Sequence, residues 1–269
     1  VNAQGLVENV QILSSNLVQN GDFSEEGVEK VSNGSFTNGS TDWTLGTGWS
    51  IGENKAISNT TASNLTPSTV LVSGKTYKFT LDVAKISVGS FTFLLRFNGS
   101  NTVIGTINSE GSFTFYAKAD ATGFRLQNLS GGTTDFSVTN ISVKEVGQNW
   151  TLGTGWEIGN DVANAVNAPF GSQLVDSATL TASKKYSVSF VISNYIQGSV
   201  RVAVGNVFSS DVSADGSYTF ILTSANTNAF KVQARGGGSG TTLSITNISV
   251  IEITDDTNLP RINYEGFSY

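Results

Sequence analysis

Apolar and polar side chains alternate along residues 76–83, which places Tyr77, Phe79, Leu81 and Val83 on one face of an extended segment. A period of two residues is typical of a β-strand that has one face in a hydrophobic core. The segments between such stretches show no helical period. This part of the chain therefore predicts strands rather than helices.

Similar segments recur through both halves of the chain, separated by turns rich in Gly, Asn and Ser. In the second half, residues 199–204 turn Val200, Val202 and Val204 inward and Arg201 outward. Short strands joined by tight turns predict an all-β chain built of jelly-roll β-sandwiches. The predicted strands of the two halves correspond as 76–83 with 186–191, 90–97 with 199–204, 111–115 with 216–220, 124–127 with 230–233, and 139–143 with 246–250. The inward residues of the 90–97 strand are Phe91, Phe93, Leu95 and Phe97.

Ten residues of the first half return almost unchanged in the second. Residues 43–52 read Trp-Thr-Leu-Gly-Thr-Gly-Trp-Ser-Ile-Gly, and residues 150–159 differ only in having Glu157 where the first copy has Ser50. A repeat of about 105 residues is a whole domain, because solenoid units have only about 20–50 residues. The sequence therefore predicts two tandem domains, at 33–146 and 147–254.

The residues before and after the two repeats need a separate explanation. Residues 16–23, Asn-Leu-Val-Gln-Asn-Gly-Asp-Phe, and residues 33–39, Asn-Gly-Ser-Phe-Thr-Asn-Gly, read as two versions of one domain-opening strand. Asn-Gly steps are turn signals. Residues 1–32 are then a remnant of a preceding module or an arm that docks on a neighbour. Residues 255–269 leave the repeat and predict a linker to a further domain or an anchoring tail.

The composition narrows the function by exclusion. A hydrophobic content of 38% with only 13% charged residues predicts a globular chain. The net charge is −6 and Lys and Arg are not clustered, which argues against nucleic acid as a partner. No apolar run approaches the roughly 18–20 residues of a transmembrane helix, so membrane insertion is not expected.

The chain contains neither Cys nor His, which removes whole classes of chemistry. Disulfides are impossible, and zinc, copper, haem and iron–sulfur sites lose their usual ligands. Ser-His-Asp and Cys-His catalysis are also excluded. Glycoside hydrolysis by two carboxylates stays chemically open. However, Asp and Glu are scattered and no pair recurs between the copies, so we do not expect an enzyme.

The order of motifs in each repeat resembles the jelly-roll carbohydrate-binding modules of the family 4/9 type, which have a galactose-binding-like fold. The motifs are Asn-Gly-(Asp/Ser)-Phe, then Asp42-Trp43 or Asn149-Trp150 with Gly-Trp following, then a closing Ile-Ser-Val-x-Glu strand. The resemblance implies non-catalytic glycan binding and a structural calcium. In the family an Asp-Asp pair enters the last strand, whereas this chain has Thr-Asn at 139–140 and at 246–247. The remaining calcium candidates are Asp22 and Asp135.

Two sets of residues are candidates for glycan contact. The tryptophans Trp43, Trp49, Trp150 and Trp156 could stack on a pyranose ring. Because both pairs occupy the same opening strands in the two copies, we favour core packing for them. The second set consists of residues that the strand pattern turns away from the core, where the concave face of such modules binds ligand, together with one rim aromatic. This set is Arg96, Arg125, Gln127, Tyr195, Arg201, Lys231, Gln233 and Arg235.

A narrower resemblance concerns the end of the chain. Residues 254–264 read Thr-Asp-Asp-Thr-Asn-Leu-Pro-Arg-Ile-Asn-Tyr, which resembles the linker Asn-Leu-Pro-Arg-Ile-Asp-Tyr of virion proteins in tailed bacteriophages. In those proteins the linker follows a repeat that ends in Val-Lys-Glu-Val, as residues 143–146 do here. The departure is Asn263 in place of Asp. The resemblance implies a virion surface protein.

We therefore predict a non-enzymatic bacteriophage virion structural protein, a capsid decoration, head fibre or tail fibre that attaches to host or mucus glycans. Its expected partners are other virion proteins and further copies of itself in a homo-oligomer, often a trimer in phage appendages. No cofactor is expected other than structural calcium. The alternative is a secreted bacterial pair of carbohydrate-binding modules, from a polysaccharide-degrading enzyme or a surface adhesin.

A third hypothesis is a structural spacer that binds nothing. It is favoured by the divergence of the outward residues, if Thr92 corresponds to Arg201 and Leu94 corresponds to Ala203. The repeats would then keep the residues that pack and vary those that could bind.

Overall fold

A computed structural model describes residues 11–59, 63–129, 132–133 and 135–255, and within these residues the regular structure consists of strands alone. No helix in the described residues is long and apolar enough to cross a membrane. The chain divides into two compact units. One contains Phe23–Gln148 and Glu157–Val162, and the other contains Asn149–Trp156 with the described residues before Phe23 and after Val162.

The strands follow one another in the same order in both halves. The first strand of the chain is β1 (Gln11–Leu13). The strands of the first sandwich are β2 (Glu26–Glu29), β3 (Trp43–Leu45), β4 (Trp49–Gly52), β5 (Lys55–Ser58), β6 (Ser63–Pro67), β7 (Thr76–Lys85), β8 (Phe93–Asn98), β9 (Val103–Ile107), β10 (Gly111–Lys118), β11 (Gly123–Asn128) and β12 (Phe136–Val146). They are followed by β13 (Trp150–Leu152), β14 (Trp156–Gly159), β15 (Val162–Ala168), β16 (Gln173–Asp176), β17 (Lys185–Gln197), β18 (Val200–Val204), β19 (Val207–Phe208), β20 (Gly216–Thr223), β21 (Lys231–Ala234) and β22 (Thr241–Asp255).

Each sandwich combines a six-stranded and a five-stranded sheet. In the first sandwich the six-stranded sheet has the order β10-β7-β12-β5-β4 with β2 on β12, and the five-stranded sheet has the order β3-β6-β11-β8-β9. The second sandwich repeats this topology as β20-β17-β22-β15-β14 with β1 on β22, and as β13-β16-β21-β18-β19. The prediction of an all-β chain with two tandem jelly-roll sandwiches is confirmed.

The alternating residues lie where the sequence pattern placed them. Tyr77, Phe79, Leu81 and Val83 are buried, as are the four inward residues of the 90–97 segment and the three valines of β18. All four tryptophans are at most 8% exposed, which confirms core packing. Burial of large aromatic side chains is the main source of stability in such a sandwich.

The repeated Thr-Asn-Ile-Ser-Val motif forms a β-bulge in the last long strand of each sandwich. On β12, Asn140 and Ile141 together face one residue of β7, because Thr139 pairs with Asp82 and Ser142 pairs with Thr80. Asn140 has a φ of 51°, a left-handed conformation that Asn tolerates better than most residues. Asn247 on β22 has a φ of 52° in an equivalent register shift. The motif is therefore repeated because the bulge is repeated.

Each bulge binds an opening segment that carries an Asn-Gly step. The Ile141 amide donates to the Gly34 carbonyl at 3.0 Å, and the Ile248 amide donates to the Gly21 carbonyl at 2.9 Å. A Cβ at either glycine would collide with the bulge carbonyl. The residues before Asn33 thus serve both sandwiches, since β1 pairs with β22 and β2 pairs with β12.

The second sandwich is consequently discontinuous in sequence. Its opening segment precedes the first sandwich, and the rest of it follows the first sandwich. The domain boundaries expected from the repeat, 33–146 and 147–254, leave out the opening segment of the second sandwich and also β2 of the first. The predicted linker or tail at 255–269 lies outside the described residues after its first residue.

Candidate functional site

The outer face of the first five-stranded sheet brings three predicted site residues together. Alternation on β8 and β11 buries Leu95 and Leu126 and directs Arg96, Arg125 and Gln127 to the other face. Arg96 pairs with Arg125 directly across the two strands. We name these three residues the Arg96 cluster.

Hydrogen bonds to neutral groups hold the Arg96 cluster in place. Arg96 Nη1 donates to Gln127 Oε1 at 2.7 Å, and its Nε and Nη2 donate to the Asn101 carbonyl at 3.0 and 2.7 Å. Arg125 donates to the Phe97 carbonyl and to the side-chain oxygens of Asn98 and Asn101. The loop after β8 therefore cradles both guanidinium groups.

Burial and the nearby Arg96 charge both affect Arg125. The pKa of Arg125 is lowered, first because its guanidinium is partly desolvated and second because the Arg96 charge is close. Arg125 Nε is buried and has no hydrogen-bond partner. Among the described residues, none of the ion pairs involves either arginine.

The second five-stranded sheet carries a related arrangement, which we name the Arg201 cluster and define as Arg201, Phe208, Lys231 and Gln233. Arg201 Nε and Nη2 donate to Gln233 Oε1 at 2.9 and 2.7 Å. The guanidinium lies 3.7 Å from the centroid of the Phe208 ring, and the Lys231 ammonium lies 5.7 Å from it. Lys231 also donates to Asn206 Oδ1 at 2.7 Å. Two cations thus flank one aromatic ring, which is cation–π geometry.

The strand register corrects the residue correspondence assumed from sequence. Gln127 lies opposite Leu94, whereas the equivalent Gln233 lies opposite Arg201. Arg201 therefore occupies the position of Leu94 and not that of Thr92. By the same register Ala203, opposite Lys231, corresponds to Arg96, opposite Arg125. In each sandwich an arginine contacts the equivalent glutamine, but the two arginines occupy strand positions that differ by two residues.

Two of the predicted site residues lie elsewhere. Arg235 follows β21 and stacks on Phe170, with its guanidinium carbon 4.1 Å from the ring centroid, and its Nε lies 3.6 Å from Asp211 Oδ2. Tyr195 belongs to β17 in the six-stranded sheet, and its hydroxyl donates to the Gly198 carbonyl at 3.2 Å. Neither residue belongs to the Arg201 cluster.

Sequence reasoning missed Phe208 and the asparagines that bind the cations. Phe208 lies in a strand of two residues, which is too short to show an alternating pattern. Asn101 and Asn206 lie in turns between strands, where Asn is common for conformational reasons alone. No local sequence signal distinguishes these residues from ordinary turn residues.

The described residues contain no cluster of acidic ligands that would support the calcium prediction. Within the described ranges no group of three or more acidic side chains gathers in a way that could hold a metal ion. Asp22 accepts from Thr246 Oγ1 through its main-chain oxygen at 3.3 Å, and Asp135 accepts from the Ile86 amide in the same way at 3.0 Å. A structural calcium therefore stays a prediction.

A polar depression of about 240 Å³ lies on the outer face of the first six-stranded sheet. Its lining includes Glu26, which forms ion pairs with Lys78 at 2.6 Å and with Lys144 at 2.8 Å. The pKa of Glu26 is lowered by the hydrogen bonds from Lys144 and Lys78. Both lysines are already paired with Glu26. These ion pairs join β2 to the sheet rather than offering free charge to a ligand.

Comparison with known proteins gives only remote structural likenesses. No family model and no curated protein matches the chain. A tandem CBM22-1-CBM22-2 domain of Xyn10C from Paenibacillus barcinonensis is 9% identical, with a TM-score of 0.34 over 85% of this chain and 98% of that chain. A CBM4 structure is 17% identical, with a TM-score of 0.31 over 48% of this chain and 99% of that chain. The assignment to jelly-roll sandwiches rests on the strand pairing of this chain and not on these scores.

Proposed function

We propose that the chain is a non-catalytic glycan-binding protein that uses the outer faces of its two five-stranded sheets. The observation that carries this proposal is the arginine–glutamine hydrogen bond found on both faces, Arg96 with Gln127 and Arg201 with Gln233. The arginines come from strand positions that do not correspond, yet each reaches the equivalent glutamine. Simple inheritance of one duplicated contact does not account for this arrangement.

The arrangement suits hydroxyl-rich ligands for a physical reason. Each glutamine oxygen accepts from a guanidinium, so the amide NH₂ group and the remaining guanidinium N–H groups are oriented as donors. Donors that are fixed before binding lose little conformational entropy when a ligand arrives. Saccharides offer several oxygen acceptors at close spacing, and polar groups placed on a strand face can address more than one of them.

Two biological settings are compatible with this function. The resemblance of residues 254–264 to virion linkers supports a bacteriophage virion surface protein of the kind named above, in which repeats 33–146 and 147–254 with their opening segments meet host or mucus glycans. The resemblance of the repeats to tandem carbohydrate-binding modules supports the secreted bacterial pair instead. Immunogold labelling of purified phage particles from the source would decide between them. Label on particles supports the first setting, whereas label confined to the culture medium or cell surface supports the second.

The glycan-binding proposal is tested with the whole chain on a glycan array, followed by titration of any ligand found. Truncation at residue 33 is unsuitable, because it removes the opening segment of the second sandwich. Gln127→Ala with Gln233→Ala should weaken binding about tenfold, since each loses a positioned hydrogen-bond partner. The matched control is Thr114→Ala with Thr219→Ala, two exposed threonines on the edge strands of the six-stranded sheets. Saturable binding lost only in the glutamine variant supports the proposal. A folded chain that binds no glycan, or binding that survives in the glutamine variant, contradicts it.

A further inference from the structure

The outer faces of the five-stranded sheets are electropositive although the protein is acidic overall. The net charge is −6, yet no strand of the first five-stranded sheet contains Asp or Glu. In the second sheet the strands contain one acidic residue, Asp176, which is 2% exposed. The charges that reach solvent from these strands are therefore positive, from the half-buried Arg96, Arg125, Arg201 and Lys231.

The Arg96 cluster concentrates this charge. Like charges directly opposite each other on antiparallel strands destabilise a sheet. Arg96 and Arg125 occupy such positions, and their hydrogen bonds within the described residues go to carbonyl and amide oxygens that carry no net charge. Asp120, in the loop before β11, accepts hydrogen bonds from Ser100 and Thr102 instead. An anionic ligand would relieve this repulsion.

The donors that remain are sufficient in number for an anion with two oxygens. The hydrogen bonds of Arg96 use three of the five N–H groups of a guanidinium, which leaves one N–H on each terminal nitrogen. Two terminal N–H groups match the two oxygens of a carboxylate in a bidentate pair. Arg201 uses its Nε and one Nη2 N–H on Gln233, so its Nη1 is available in the same way.

We propose that the Arg96 cluster binds the carboxylate of an acidic saccharide, so that the ligand class is a uronic-acid-containing glycan. This inference rests on the proposed function and narrows it from glycans in general to anionic ones. The neutral part of the saccharide meets Gln127, while the carboxylate meets the arginine pair. The overall negative charge of the protein repels long polyanions, which favours recognition of single carboxylates at short range over binding of nucleic acid.

The test compares oligogalacturonate with the same oligomer after methyl esterification, because esterification removes the charge and keeps the sugar backbone. Titration of the whole chain should show that the ester binds about tenfold or more weakly than the free acid. Binding of the free acid should also weaken as salt is added. Arg96→Gln and Arg125→Gln should each lose this preference, and Arg96→Lys, which keeps the charge without the fork, should recover part of it. Lys118→Gln, at the exposed end of β10, is the control that should bind as the unmodified chain does. Thermal unfolding of each variant shows that the fold is retained.

The outcomes separate the two proposals. Preference for the free acid that disappears in the arginine variants supports the carboxylate site. Equal binding of the acid and the ester, or binding of neutral glycans alone, overturns the carboxylate site and leaves the proposed function standing. Binding of single-stranded DNA as tight as that of oligogalacturonate also overturns it, because the site would then be a general polyanion surface. A folded chain that binds no saccharide overturns both proposals.

Discussion

In the first sandwich the Trp43 indole donates to the Asn33 carbonyl at 3.0 Å, and in the second the Trp150 indole donates to the Asn20 carbonyl at 3.1 Å. The ion pair between Lys75 and Glu145 has its counterpart in Lys184 with Glu252, at 3.2 Å in both. The buried hydroxyls of Tyr77 and Tyr186 likewise accept from the amides of Val72 and Thr181. The ion pairs and the Trp150 contact join segments that are far apart in sequence, whereas each tyrosine hydroxyl binds an amide only five residues away. Losing one of the long-range contacts weakens closure of the sandwich.

The same two sandwiches differ in the side chains that fill their cores and in the charges on their surfaces. The first core is rich in stacked phenylalanines, such as Phe93 and Phe136 with centroids 4.8 Å apart, whereas β18 and β21 fill the second with smaller Val and Ala. Pro67 pairs with Trp43 at the position where Asp176 pairs with Trp150. Closure contacts were thus kept after duplication, while core volume and surface charge changed independently. Substitutions at matched positions of the two sandwiches test this conclusion.

The largest effect is expected at the glycines that meet the bulges. Gly34→Ala and Gly21→Ala each put a Cβ against the bulge carbonyl, of Ile141 and Ile248 respectively, so each should destabilise its own sandwich by more than about 2 kcal/mol. Chemical denaturation followed by tryptophan fluorescence measures both. Gly237→Ala, where a Cβ meets nothing within 4 Å, is the control. A large loss in one sandwich and none in the other would break the claim that closure is shared.

The second effect concerns Asp176, whose pKa is raised because the carboxyl is desolvated by burial. A raised pKa in the folded state means that the native state binds the proton more tightly, so this group costs stability as pH rises through its folded pKa. Asp176→Asn should therefore stabilise the second sandwich at pH 7 by about 1 kcal/mol, since a buried amide costs less than a buried carboxylate.

The pH dependence provides the check. The gain from Asp176→Asn should vanish below the ordinary Asp pKa of 3.8, where the native and unfolded carboxyls are both protonated. Melting temperatures at pH 7 and pH 3 measure it, with the exposed Glu110→Gln as control. A gain that is equal at both pH values would show that the effect is not electrostatic.

The third effect concerns the ion pairs of Glu26 in the first sandwich, which have no counterpart among the described residues of the second. The lowered pKa of Glu26 means that its contribution to stability is present above its ordinary pKa of 4.5 and is lost as pH falls. Glu26→Gln should cost about 0.5–1 kcal/mol at pH 7, because the carboxylate with Lys78 and Lys144 is partly exposed to solvent and screened. Denaturation at low and high salt measures this, and a cost that does not shrink in high salt would contradict an ionic cause.

The smallest effect is expected at Phe208, which has no aromatic counterpart in the first sandwich. Phe208→Ala should cost the second sandwich about 0.5–1 kcal/mol, because Arg201 loses the ring beneath its guanidinium. Val103→Ala, at the corresponding edge position opposite Arg96, is 46% exposed in the native protein and should cost less. Equal costs would show that the Phe208 contact is ordinary packing.

Much of this architecture could be read from local sequence. Alternation of apolar residues is a property of neighbouring positions, so it predicted strands such as β7 and β18 and the burial of their inward residues. The tryptophans indicated core packing because both pairs occupy equivalent positions in the two copies. The outward placement of Arg96, Gln127 and Arg201 followed from the same period of two, whereas Gln233, which accepts from Arg201, is only 8% exposed.

The rest depended on pairing between distant segments. Local alternation could not show that residues 11–22 complete the second sandwich, because that requires β1 to find β22 across the whole first sandwich. It could not show that Arg201 occupies the position equivalent to Leu94, because that correspondence depends on strand register. Register is fixed by turns and by partner strands. Local sequence is enough to show which residues face the core and that the unit is duplicated. The segments that close each sandwich and the charges that meet on its outer face emerge only on folding, because both depend on contacts between residues that are distant along the chain.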